Sequence, residues 1–179
     1  MNFNFSTLMR GQMLFPHFPV SLEKMGSHIE FREIESCMTY NLGDEILLKT
    51  AHNNHPGECL SYRIEHAGRS CCYVTDTEHY SVIDHHLSKF IKGSDIVIYD
   101  ANFTDEEYNG YSGFDPKTGW GHSTWQEGIK LVQEAGAKKL VLFHHATHRT
   151  DAELDQIEIK AQAKYPDCIA AKEGMVLYI

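Results

Sequence analysis

The sequence predicts an α/β fold in which a mixed sheet is flanked by helices. Three observations carry that prediction. Residues 60–65 and 70–74 alternate apolar and polar side chains around the turn pair Ala67-Gly68, which describes an antiparallel hairpin. Residues 95–99 and 139–143 are short apolar runs with a helical pattern between them, which describes a βαβ unit. Several of these apolar runs also stop abruptly at Asp76, Asp100 or His144, so one sheet edge gathers side chains able to do chemistry.

Taken in order, residues 1–26 carry Phe, Met and Pro without a sustained period, and they read as an irregular N-terminal connector to a single domain over 27–179. Alternation at 28–34 predicts a strand, and 45–49 a second one after the turn signal Asn41-Leu42-Gly43-Asp44. The hairpin follows. Beyond it, Asp105-Glu106-Glu107-Tyr108 and Gly110 to Phe114 read as a solvated loop. Ser123 or Thr124, with Gln126 or Glu127 three residues on, opens a helix whose Trp125, Ile129 and Val132 share one face before Gly136 ends it. Thr150 with Glu153 opens another helix, with Leu154, Ile157 and Ala161 on its inner face and Pro166 beyond its end. Residues 174–179 predict a closing strand, and both Trp120 and Trp125 read as packing groups.

A chain of 179 residues suffices for one core. Sixteen Lys and Arg against 25 Asp and Glu give a formal charge of −9, which repels an extended polyphosphate backbone and argues against extended nucleic-acid binding. No apolar run reaches membrane-spanning length or reads as a cleavable signal, so a cytoplasmic protein without a membrane partner is expected. Five cysteines without CxxC spacing indicate reduced structural thiols, neither a disulfide framework nor a thiolate zinc site.

The 12 histidines are numerous, and six of them (His52, His55, His122, His144, His145 and His148) fall in loops or at element ends. His17, His28, His66, His79, His85 and His86 read as solvated surface. Imidazoles combined with carboxylates suit Zn, Mn or Fe(II), whereas an all-carboxylate cluster suits Mg or Ca. Asp76 and His144 are the leading ligand candidates. Asp100 is placed to brace a ligand histidine.

Four stretches in order carry a resemblance: Asn54-His55-Pro56-Gly57, Tyr73-Val74-Thr75-Asp76-Thr77, Gly121-His122-Ser123-Thr124 and Leu142-Phe143-His144-His145. Together they resemble the metallo-β-lactamase-fold phosphodiesterases, within them the tRNase Z and cyclic-phosphodiesterase branch. The resemblance implies an αββα sandwich of which this chain matches the C-terminal portion, so that 27–179 is expected to be a partial domain of that kind. It implies that His55 is the lone histidine ligand of one metal, that Asp76 bridges two metals and that His144 completes the second. A shared anion offsets the repulsion between two close cations. His122 resembles a catalytic histidine that assists phosphodiester cleavage by proton transfer or phosphate stabilisation.

The His-x-His-x-Asp-His cluster that supplies most ligands of one metal in that family is absent, and Asp84-His85-His86 lacks its spacing. The expectation is therefore a metal-dependent hydrolase by resemblance, with zinc or manganese absent or sub-stoichiometric and turnover of a small phosphodiester substrate weak or nil. The alternative expectation is a non-catalytic, subunit-like remnant. Half of a two-layered sandwich would expose an apolar sheet face, so a homo-oligomer is expected in either case.

Overall fold

The computed structural model describes residues 4–111 and 113–179; Met1 to Phe3 of the N-terminal connector and Ser112 of the acidic loop segment lie outside the described residues. The chain divides into two compact units, Met1–Glu35 and Ser36–Ile179. In the first unit the expected irregular stretch contains a helix, α1 (Phe5–Gln12), whose first turn is capped by the Asn4 side chain accepting from Thr7 N. A 3₁₀ turn follows at Leu22–Lys24, and the Phe5 and Phe31 rings meet edge to face at 5.8 Å.

The second unit holds a seven-stranded sheet whose spatial order follows the chain: β1 (Thr39–Asn41), β2 (Leu47–His52), β3 (Leu60–His66), β4 (Arg69–Val74), β5 (Ile96–Asp100), β6 (Leu140–Phe143) and β7 (Cys168–Ala170). The first four strands form an antiparallel meander, and β4 through β7 run parallel. Ala67 and Gly68 both adopt positive φ at the predicted β3–β4 turn, as a two-residue hairpin requires. The parallel half is buried more deeply: Val97, Leu140 and Leu142 have no accessible surface, as expected where helices cover a crossover sheet.

Three helices cover one face of this sheet: α2 (His85–Phe90), α4 (Trp125–Ala135) and α5 (Asp151–Gln162). Leu87 and Ile91, then Trp125, Ile129 and Val132, then Ile157 and Ala161 join Cys72, Val74, Tyr99 and Leu142 in one core. The predicted caps are present, with Thr124 accepting from Glu127 N and Thr150 closing a reciprocal box with Glu153. The opposite face alternates with the core and carries Ile64, Tyr73 and Phe143, which are 46%, 39% and 37% exposed.

Several expectations are corrected. Residues 28–34 form no strand. The sheet ends instead at β1, where Tyr40 pairs with Leu48, and Phe31 is spent on the ring contact to Phe5. The closing strand is Cys168–Ala170, paired to β6, and residues 174–179 lie outside the sheet. Glu106 and its neighbours form a short helix, α3 (Asp105–Asn109), with a complete capping box from Thr104 and Glu107; Glu107 and Tyr108 are buried, so the segment is not simply a solvated loop. Trp125 is packed at 4% exposure, but Trp120 is 57% exposed. All five cysteines are free, as expected.

Candidate metal centre

Because β4, β5 and β6 are parallel, their C-terminal ends open onto one edge. Asp76 lies two residues past β4, Asp100 ends β5, and His144 follows β6. Both Asp76 and His144 stand at φ +57°, in the left-handed region that a residue with a Cβ normally avoids. That turn stops each strand and re-aims the side chain across the edge. Left-handed non-glycine residues cost energy and collect at functional sites.

The result is a cluster of four ligand-type atoms, from Asp76, Asp100, His122 and His144, all within 4.8 Å of one another. His144 Nε2 lies 3.2 Å from Asp76 Oδ1, and the His122 and His144 rings stack at 4.7 Å. The four are not equivalent. Asp100 is fully buried, and its oxygens are occupied: Oδ2 accepts from His122 Nδ1 at 2.9 Å and Thr77 N at 3.3 Å, Oδ1 from Asn102 N at 3.2 Å and Ser123 N at 3.4 Å. It acts as the brace for His122. Asp76 and His144, 38% and 36% exposed, are the groups open to an incoming ion.

That bond raises the His122 pKa above the ordinary imidazole value: the hydrogen bond to Asp100 is the largest cause, opposed by burial and helped by the charges of Asp100, Asp76 and Glu78. With Nδ1 committed to Asp100, proton exchange with a substrate falls to Nε2. Thus Asp76, His122 and His144 come together as the spacing suggests. His55 stands beside them, its ring 5.6 Å from that of His122 and edge-on, with Nδ1 accepting from Gly57 N at 3.1 Å; it is outside the four-residue cluster.

The segment that carries Asp76 also organises its neighbours. Asn53, 1% exposed, donates through Nδ2 to Thr75 O and Asp76 O, and Asn54 and Glu78 exchange two bonds, so the His55 turn is tied to the end of β4. Glu78 is 8% exposed and accepts three bonds, from the Tyr108 hydroxyl at 2.6 Å and from Gly119 N and Gly121 N at 2.8 Å each. Burial pushes its carboxyl up, but these donors outweigh it and the net shift is downward. The Tyr108 hydroxyl is pushed up to about 12 by burial and by the Glu78 bond, so it stays a donor. Gly121 sits at φ +83°, and a Cβ there would lie 2.3 Å from His55 Cδ2.

His79, expected on the surface, is half-buried and bonded to Ser123 Oγ at 3.0 Å, with its pKa lowered chiefly by burial. His145 is half-buried with its pKa likewise lowered by burial, while His148 is 70% exposed, 4.0 Å from Glu107. Sequence reasoning missed Glu78, Asn53 and His79 as structural members of the site. The only signal was their position within three residues of Asp76 or His55.

Residues 10–145 match the family described as the beta-lactamase superfamily domain. The chain belongs to that superfamily. Among relatives of this beta-lactamase superfamily member, the ribonuclease Z of Thermoplasma volcanium is 25% identical over 195 residues, covering 82% of this chain and 60% of the relative. The metallo-beta-lactamase fold protein YhfI from Bacillus subtilis superposes with a TM-score of 0.63 at 20% identity, over 79% of this chain and 52% of that one. A diphosphatase from the PhnP family superposes with a TM-score of 0.64 at 16% identity, over 98% of this chain and 56% of that one. The superfamily member thus spans little more than half the length of the proteins it matches. The expected α/β fold of the metallo-β-lactamase type is confirmed.

Proposed function

We propose that this chain is a metal-dependent hydrolase of phosphodiester bonds. The observation that carries the reading is the convergence of Asp76, His122 and His144 within 4.8 Å at the shared ends of three parallel strands. One carboxylate and one imidazole, half-exposed and touching, suit a divalent ion such as zinc or manganese. Asp76 and His144 would hold it, with His55 a further candidate ligand on the far side of His122. Such an ion, when bound, supplies Lewis-acid charge to a phosphoryl oxygen.

The remaining chemistry belongs to the protein. His122, kept protonated to higher pH by Asp100, donates a proton from Nε2 to the leaving oxygen. Its neighbour Ser123 is held by His79 and by the Tyr99 hydroxyl, which fixes the backbone that presents His122. No helix among the described residues is long and apolar enough to cross a membrane. The substrate is proposed to be a small phosphodiester. The names of two relatives, a ribonuclease and a diphosphatase, support hydrolysis at phosphorus, and the ribonuclease supports a phosphodiester in particular.

Turnover of bis(p-nitrophenyl) phosphate with added Zn²⁺ or Mn²⁺ tests the reading. A sparse ligand set predicts a slow but metal-dependent rate, reduced at least about hundredfold by Asp76→Ala or His122→Ala. A rate indifferent to metal and to both substitutions would overturn it.

A second reading is favoured by one observation, the apolar sheet face bearing Ile64, Tyr73 and Phe143. On that reading the chain is a subunit-like, non-catalytic protein that associates with itself through this face. Light scattering over a wide concentration range tests the association and metal content tests the choice of reading: a dimer that retains no divalent ion after dialysis is expected here, and a monomer throughout, or a dialysis-resistant ion, would contradict it.

A further inference from the structure

Trp120 is the feature that the hydrolase reading leaves unexplained. Its indole is 57% exposed, yet the turn that carries it is anything but loose. The amides on either side, Gly119 N and Gly121 N, each donate to the buried Glu78 carboxylate at 2.8 Å, and Trp120 N itself donates to Lys117 O at 3.1 Å. An exposed aromatic residue is ordinary by itself, but a turn braced through a buried charge holds this one as a fixed surface on which a planar group can lie.

The placement says which kind. Trp120 precedes His122 by two residues, and both rings pack edge to face on the same buried ring, Phe103, at 6.5 and 6.3 Å. The indole therefore stands one ring away from the imidazole that faces Asp76 and His144. Lys117 brings its ammonium to 4.3 Å above the indole, so a cation accompanies the aromatic surface. An indole supplies a stacking platform for a planar ring, and an ammonium supplies a counter-charge for a phosphate.

We propose that Trp120 is a specificity-determining residue that stacks a planar aromatic group of the substrate, and that the substrates are small phosphodiesters bearing such a group, as dinucleotides do. The ring lies on Trp120, Lys117 pairs with a phosphate oxygen, and the phosphodiester reaches the His122 edge. The inference rests on the hydrolase reading for the identity of the edge, but the binding it describes needs no turnover.

The probe is the dinucleoside monophosphate UpU, titrated calorimetrically into the protein without added metal, so that no hydrolysis consumes it. Wild-type fluorescence is followed in parallel; Trp125 is 4% exposed, so quenching by the ligand reports on Trp120. Saturable quenching by UpU is expected, with none from diethyl phosphate, which has no ring. Trp120→Ala should weaken UpU binding by about tenfold or more, Trp120→Phe should hold it within about threefold, and Lys117→Ala should weaken it less than Trp120→Ala does. Unchanged UpU affinity in Trp120→Ala, or no binding to the wild-type protein, would overturn the proposal. The two readings fail separately. UpU binding that depends on Trp120 in a protein without metal-dependent turnover removes only the hydrolase, and Asp76-dependent turnover with UpU affinity indifferent to Trp120 removes only this inference.

Discussion

Replacing Glu78 by Gln tests how the site is held together, because the change keeps the shape and removes the charge. Glu78 serves three donors with two oxygens, and it is 8% exposed, so no water replaces a lost acceptor. Glutamine keeps one oxygen and puts an NH₂ where the other stood. At least one donor then faces a donor, at about 1–3 kcal/mol, while the surviving bonds fall from charge-assisted to neutral strength, at about 1 kcal/mol. The sum is about 3 kcal/mol, which for a chain of this size lowers Tm by roughly 6–12 °C.

The pH dependence has a definite sign. Glu78 has its folded pKa depressed below the ordinary 4.5, so its stabilisation is complete above that value and is lost as pH falls through the folded pKa. The gap between wild type and Glu78→Gln is therefore constant near neutral pH and narrows in acid. Thermal unfolding followed by circular dichroism at neutral pH and below pH ~4 measures both effects. A Tm change under about 2 °C at neutral pH, or a gap that widens in acid, would mean that the Glu78 charge does not hold these donors.

Other consequences follow from the same geometry. Gly121→Ala forces a Cβ into His55 Cδ2 at 2.3 Å and Pro56 Cδ at 2.7 Å from a backbone already at φ +83°; urea unfolding should show a loss of about 2–4 kcal/mol. Arg149→Ala strips a 2.7 Å partner from Glu107, the two side chains being 7% and 10% exposed, and should cost about 3–5 kcal/mol in the same assay. Combining Arg149→Met with Glu107→Leu should recover part of that loss, because no unpaired charge then remains buried while the Glu107 half of the α3 capping box is given up.

What the sequence made legible was local and periodic. The β3–β4 hairpin, the β5–α4–β6 unit and the Thr124 and Thr150 caps follow from side-chain alternation and hydroxyl placement, which depend on near neighbours. The strand expected at 28–34 failed because alternation says nothing of whether a partner strand is present, and the sheet edge was taken by residues 39–41. The expected strand at 174–179 failed likewise, since only three residues, Cys168–Ala170, align with β6.

At the site, Asp76, His122 and His144 were visible because each stands at an element end. Glu78 was not, because its three donors come from residues 30 to 43 positions later, a relation no local pattern carries. The positive φ at Asp76 and His144 was equally hidden: Asp and His enter the left-handed region more often than most residues with a Cβ, but their identity alone does not say at which position. Trp120 was misplaced for a related reason: an indole near a helix start ordinarily packs, and only the Glu78 brace on Gly119 and Gly121 explains why this one faces out.

The hydrolase proposal needs Asp76 and His144 to form one cation site. Calorimetric titration of Zn²⁺ or Mn²⁺ into the wild-type chain and into Asp76→Ala and His144→Ala tests it without reference to any substrate. A saturable site is expected in the wild type, weakened by at least about tenfold in each variant. Equal affinity in all three proteins, or no binding by the wild type, would contradict it.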